Sequence, residues 1–269
     1  MGGPPFKADA RIPLPWTTPD KLPRLDEGQV HLWRFGLEPS MSVETRLEAT
    51  LNDEERHRAD RFRGQGLRKK FIAGRGMLRS LLGAYVGRSP VDLGFSYGIH
   101  GKPELADGSL GISFNLAHSG EIALCAIAQG GPVGVDVETQ RPLENAEKIV
   151  RRFFSLQEQA AFDALPQAEK FAAFYLGWTR KEAFLKATGT GLATRLDSFD
   201  VNLTPGEPAR ILRIDESLNG PGDWKIHDVD PGAGYAGALV VSCSIGTKGS
   251  SGPLVQLWDA TTPTFFGWS

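Results

Sequence analysis

Apolar and polar positions alternate along "VHLWRFGL" (residues 30–37) with the period of two that marks a β-strand, and this segment predicts the first strand of the chain. "NDEERHRADRF" (52–62) then predicts a helix, with Asn52 as its N-cap and acids in its first turn. Gly64-Gln65-Gly66 interrupts it. A longer helix follows, because Leu67, Phe71, Leu78, Leu81, Leu82 and Tyr85 recur at helical spacing. Arg68, Arg75 and Arg79 fall on one line of that helix, opposite the leucines. "LGFSYGIHGKPEL" (93–105) predicts strand and loop. "LGISFNLAHSGEIALCAIAQ" (110–129) predicts a hairpin turning at His118-Ser119-Gly120.

The next strand, "GPVGVDVETQ" (131–140), carries an anomaly. Val133, Val135 and Val137 alternate as a core face should, while Asp136 and Glu138 stand on the other face. The strand rise places these two carboxylates about 6–7 Å apart on one side. Like charges at that separation repel unless solvent or a cation lies between them. Beyond it, residues 144–165 and 168–189 predict helices, the second ended by Gly189. "LDSFDVNL", "ARILRIDE", "WKIHDVD" and "AGALVVSCSIG" predict strands.

Helices followed by short antiparallel strands, twice over, predict an α+β fold of two similar halves. The expected layout is an irregular Pro-rich arm (1–28), an N-terminal subdomain (29–133), a C-terminal subdomain (134–247) and a loosely attached Gly/Ser/Thr/Pro-rich tail (248–269).

Composition narrows the function without naming it. The 269 residues are 41% hydrophobic and 23% charged, enough for a sizeable core. A net charge of −2 argues against a protein whose business is coating nucleic acid. Cys125 and Cys243 lie in apolar stretches and read as buried thiols of a reducing compartment. No Cys/His spacing suits zinc, no apolar run suits a signal peptide, and none approaches the ~20 residues of a membrane span. The expectation is a soluble, cytoplasmic protein that binds neither nucleic acid nor membrane.

Three groups carry candidate chemistry. The first is Asp136 with Glu138. In the helix at 168–189, an apolar stripe through Phe171, Phe174, Tyr175 and Trp178 meets Glu182, with Lys186 one turn on and Lys181 beside it. Between Glu54 and Arg79, nine Arg and Lys face three acids, a local positive patch in a mildly acidic chain. Each alone has a plain structural reading: a wet strand face, an i,i+4 ion pair, a solvated helix face. Together they suggest three carboxylates suited to Mg²⁺ and cations suited to phosphate, the apparatus of phosphoryl-type transfer. Neither a P-loop nor a kinase motif set is present.

"GVDVE" followed by "WTRKEAFLKATGTGL" resembles the 4′-phosphopantetheinyl transferase superfamily, whose marks are a G-(I/V)-D-(I/V)-E strand and a W-x-x-K-E-(A/S)-x-x-K helix. "GKP" (101–103), "FNLAHSG" (114–120), "RFFS" (152–155) and "LDSF" (196–199) agree in order and spacing with the longer, pseudo-dimeric surfactin-synthetase-activating type, over roughly residues 56–243. The resemblance implies two α/β subdomains related by a pseudo-twofold axis, each with helices packed on a short, mainly antiparallel sheet, in a monomer. It implies transfer of the phosphopantetheine arm of coenzyme A to a serine of an apo acyl or peptidyl carrier protein, with release of 3′,5′-ADP.

It further implies Mg²⁺ held by Asp136, Glu138 and Glu182. Glu182 would also be the general base, and Lys186, with Lys181, would neutralise bridging and leaving oxygens. Coenzyme A would contact Arg58 through its 3′-phosphate, Lys70, His118 through a phosphate, and Lys102 with Pro103 at the adenine end. The family often has Ser where this chain has Ala117, a departure that bears on affinity for the ligand. The carrier protein is expected to dock near "RFFS", with Arg151 and Arg152 as electrostatic contacts. Read without the resemblance, the same groups also suit a Mg²⁺-dependent phosphohydrolase or nuclease, or a non-catalytic binder of coenzyme A or carrier protein.

Overall fold

The computed structural model describes residues 15–108, 111–191, 194–215, 224–245, 253–261 and 263–267. Parts of the arm (1–14) and of the tail (246–252) lie outside the described residues. No helix among the described residues is long and apolar enough to cross a membrane.

Strand β1 (Gln29–Gly36) opens the fold, followed by helices α1 (Met41–Ala49), α2 (Asp53–Asp60) and α3 (Gln65–Val86). Sequence periodicity did not find α1, since its nine residues bury only Leu47 and leave too short a stripe to register. Asn52 caps α2 as expected, in a reciprocal capping box with Glu55. A small hairpin, β2 (Phe95–Tyr97) and β3 (Pro103–Leu105), leads to β4 (Ile112–Ser119) and β5 (Ile122–Gln129). The hairpin turn falls slightly later than predicted, at Gly120-Glu121, so His118 and Ser119 are the last residues of a strand.

The second half repeats this order. Strand β6 (Val133–Thr139) is followed by α4 (Ala146–Phe153), α5 (Leu156–Ala164) and α6 (Gln167–Thr188), then a small hairpin, β7 (Phe199–Val201) with β8 (Ile211–Ile214), then β9 (Trp224–Val229) and β10 (Tyr235–Ser242). Ser155 caps α5 through a box with Glu158, which splits the predicted helical stretch at 144–165 into two helices. Both α3 and α6 are 22 residues long. In the first half β1 pairs antiparallel with β5, and β5 with β4; in the second β6 pairs with β10, and β10 with β9.

Alternation within the strands sorts the core into layers. Trp33, Phe35, Cys125 and Ile127 face α3, while Phe184 and Leu185 of α6 pack with Ala238 and Val240. Between the two sheets lies a third core of Val30, Leu32, Leu124, Ala126, Val133, Val135, Val137, Leu239 and Val241. The valine face of β6 therefore looks to the other sheet, and its Gly134–Asp136–Glu138 face looks to α6.

One expectation and one plain structural reading fail here. The tail is integral rather than loosely attached, because β11 (Leu254–Asp259) pairs in parallel with β1 and an Arg34–Asp259 ion pair ties its end. The sheet order is thus β11-β1-β5-β4, and a β-propensity run, "LVQLWD", outweighs its Gly/Ser-rich flank. The arginine line on α3 is also no solvated face. Arg79 is fully buried, donating to Glu55 at 2.5 Å and to the carbonyls of Pro90 and Leu93. Arg75 pairs with Glu55 too, and Arg68 with Glu48 and Asp60. Leu67, read as part of the apolar stripe, is exposed at the helix start.

Candidate active site

Where the halves meet, β4 and β6 lie edge to edge without a ladder of backbone hydrogen bonds. Side chains of the first half span the gap. Asn115 accepts from Val135 N at 2.8 Å, and Lys102 donates to the carbonyls of Val133 (3.0 Å) and Ala187 (3.1 Å). Ser119 donates to Glu138 Oε2 and accepts from Thr139 N, both at 3.0 Å.

Gly134 lets α6 settle on this strand. A Cβ at that position would fall well inside contact distance of Ala183 O and Ala187 N. The close approach carries Lys186 to Asp136, whose Oδ1 accepts from the ammonium at 2.6 Å. Asp136 is buried, and its Oδ2 has no hydrogen-bond partner. Burial, opposed by Lys186 and reinforced by Glu138 and Glu182, pushes the Asp136 carboxyl up to about 7. Glu182 is half-buried one turn before Lys186, and its carboxyl is likewise raised, chiefly by burial. Asp136, Glu138, Glu182 and Lys186 thus come together from two elements.

The chemistry of this donor set suits a hard divalent cation, with three carboxylates and one buried oxygen lacking a partner. The geometry is not a finished cage: among the described residues no group of three or more His, Cys, Asp or Glu stands ready to hold a metal ion.

His118, at the end of β4, adjoins the acids. Burial of its ring, then the nearby charges of Lys186 and Lys70, hold its pKa below the usual value, with Glu138 opposing. It shares a cleft of about 610 Å³ with Arg58, Lys70 and Arg75, over Phe62, Phe71, Phe95 and Tyr97. Arg58 lies over the Phe71 ring, 5.3 Å from its centroid, and Lys70 donates to Gly120 O at 2.8 Å. The aromatic floor was missed in the sequence because Phe71 reads there as an ordinary core position.

Lys102 and Pro103 line a different hollow of about 440 Å³, beside the C-terminal end of α6. Burial lowers the Lys102 ammonium to about 8, and its two carbonyl partners brace the β6 and α6 backbones.

Lys181 is not brought to the site. A helix advances about 100° per residue, so it faces away from Lys186 and into the second core. There it pairs with Glu158 at 2.8 Å and donates to Leu196 O and Phe199 O. Its neighbour Arg180 is equally buried, gripping both Asp228 oxygens. The expected role of Lys181 toward leaving oxygens is corrected accordingly: its charge is spent on packing α6.

A model of the 4′-phosphopantetheinyl transferase superfamily matches residues 132–240. The 4′-phosphopantetheinyl transferase HetI of Nostoc sp. is 43% identical over 185 residues, covering 68% of this chain and 78% of the relative. The chain belongs to the 4′-phosphopantetheinyl transferase superfamily. Sfp of Bacillus subtilis, named with the same activity, is 31% identical over 193 residues, 72% of this transferase and 84% of Sfp. A crystal structure of Thermotoga maritima holo-(acyl-carrier-protein) synthase overlaps 41% of this chain and 61% of its own, at 25% identity and a TM-score of 0.33. Membership makes this protein an enzyme, a 4′-phosphopantetheinyl transferase, and decides against the hydrolase, nuclease and non-catalytic readings of the same groups.

Proposed function

We propose that this transferase moves the phosphopantetheine arm of coenzyme A to a serine of apo acyl or peptidyl carrier proteins at the join of its halves. The serine oxygen attacks the phosphorus bearing the pantetheine arm, the bond to the departing 3′,5′-ADP breaks, and the serine proton passes to a base. The observation that carries this reading is the convergence of Asp136, Glu138, Glu182 and Lys186 beside the basic, aromatic-floored cleft.

Glu182 is the proposed base, since a carboxyl raised by burial holds a proton more firmly than an exposed one. Asp136, Glu138 and Glu182 are the proposed Mg²⁺ ligands. When bound, the ion would offset negative charge on the pyrophosphate. Lys186 supports the ionised form of Asp136, and countering phosphate charge is its proposed role. Arg58, Lys70 and His118 are assigned to the phosphates of coenzyme A, and the Lys102–Pro103 hairpin to its adenine end. The carrier protein, an acidic helical bundle, is assigned to the α4–α5 corner, where Arg151 and Arg152 are exposed beside exposed Leu156. The working form is a cytoplasmic monomer whose halves divide near residue 133, with the strand at 254–259 belonging to the first half.

Intact mass of a panel of apo carrier proteins, incubated with the enzyme, coenzyme A and Mg²⁺, tests the reading. A phosphopantetheine added to one or more, and lost with EDTA, supports it. An addition that persists in EDTA removes the metal from the proposal, and no addition across the panel overturns the substrate assignment.

A further inference from the structure

Ser119 belongs to none of the assigned groups, yet it touches one of them across the boundary between the halves. Its hydroxyl has one proton. Thr139 N–H donates into the oxygen at 3.0 Å, and that proton points at Glu138 Oε2, also 3.0 Å away and a stronger acceptor than the Thr139 hydroxyl at 3.3 Å. The serine therefore meets Glu138 as a donor and fixes one of its oxygens.

The turn that carries Ser119 is pinned from both sides. Lys70 of α3 holds the Gly120 carbonyl at 2.8 Å, and Glu121 N donates to Tyr235 OH at 3.3 Å. At Gly120, where φ is 61°, a side chain would meet Thr139 Oγ1 at 2.6 Å and Tyr235 OH at 2.9 Å. The tip of the β4–β5 hairpin is thus seated on the end of β6 with no room to spare. Glu138 is half-buried, and among the described residues β6 pairs by a backbone ladder with β10 alone.

We infer that Ser119 is a positioning residue that orients Glu138 from the opposite half and thereby sets the enzyme's affinity for a divalent cation. The inference rests on the proposed reading of Asp136, Glu138 and Glu182 as cation ligands. Residues that hydrogen-bond a metal-ligating carboxylate orient it, and losing one weakens metal binding by about 10–100-fold. The bond also links ligand and cation sites, since His118 precedes Ser119 and Lys70 holds the residue after it.

The test is Mn²⁺ binding to the full chain, followed by electron paramagnetic resonance of the free ion, with and without coenzyme A. Wild type is compared with Ser119→Ala, Ser119→Thr and Glu138→Gln. The expected result is Mn²⁺ binding weakened about 10–100-fold in Ser119→Ala, recovered in Ser119→Thr, and lost in Glu138→Gln. Ser119→Cys, a weak donor of similar size, replaces the alanine variant should that one fail to fold. Wild-type Mn²⁺ affinity in Ser119→Ala, with binding lost in Glu138→Gln, overturns the inference and leaves the cation reading standing. Equal weakening in the alanine and threonine variants assigns the effect to packing and also overturns it. Unchanged binding in Glu138→Gln overturns the cation reading itself.

Discussion

Lys186 and Asp136 meet at 2.6 Å across 50 residues of sequence, one on α6 and the other on β6. The contact exists because Gly134, two residues before Asp136, gives the helix room to lie directly on the strand. It also sets the charge of the site. Burial alone disfavours an ionised Asp136, and the ammonium is what draws it back. Lys186→Ala is expected to leave Asp136 protonated at neutral pH and to lower transfer about 100-fold or more. Single-turnover transfer to an apo carrier protein measures this. Activity close to wild type would remove Lys186 from the mechanism.

Glu182→Gln keeps the shape of the side chain and removes its basicity. Transfer should fall about 10²–10⁴-fold, the usual contribution of a positioned base, with the circular dichroism spectrum and melting temperature near wild type. Loss of secondary structure would instead mark Glu182 as a folding residue.

Gly134→Ala would bring a methyl group against Ala183 O and Ala187 N, backbone atoms that cannot turn aside. The expected cost exceeds about 3 kcal/mol, because either the strand or the helix must move. Urea unfolding reads it directly, and a variant as stable as wild type would show that β6 and α6 are not packed this closely.

Lys181→Met separates packing from chemistry. It strands Glu158, buried between the Ser155 cap and Val201 N, without its cation. A loss of about 3–5 kcal/mol in stability is expected, while the folded fraction should transfer at a near-normal rate. A normal melting curve with absent activity would return Lys181 to the catalytic group.

Arg58→Ala should weaken coenzyme A more than 3′-dephospho-coenzyme A, as judged by calorimetry. Equal losses for both ligands would move Arg58 away from the 3′-phosphate.

His31 predicts an acid-sensitive step in stability. Its ring is fully buried, and desolvation lowers its pKa from 6.5 to about 4. A depressed folded-state pKa means stability is fully present above pH 6.5. It is then lost as pH falls toward 4, because the unfolded chain takes the proton first. The shift corresponds to a loss on the order of 3 kcal/mol. Urea midpoints between pH 7 and pH 4 should fall less steeply in His31→Gln than in wild type.

By itself the sequence determined the α+β class, the two long helices, the Asn52 cap, the Gly189 stop and the face of β6 that holds Asp136 and Glu138. These are local facts, written in periodicity and capping chemistry within a few residues of one another. It also singled out Glu182, as a charge in register with an apolar stripe. What that charge would meet, it did not contain. Only the tertiary structure decided that Lys186 turns to Asp136 while Lys181, five residues earlier, turns to Glu158. It alone decided that Arg79 is buried, that Ser119 reaches Glu138, and that the last strand joins the first. Each of these depends on which helix lies on which strand and how closely. That is settled by non-local packing, such as the missing side chain of Gly134, and not by any residue's immediate neighbours.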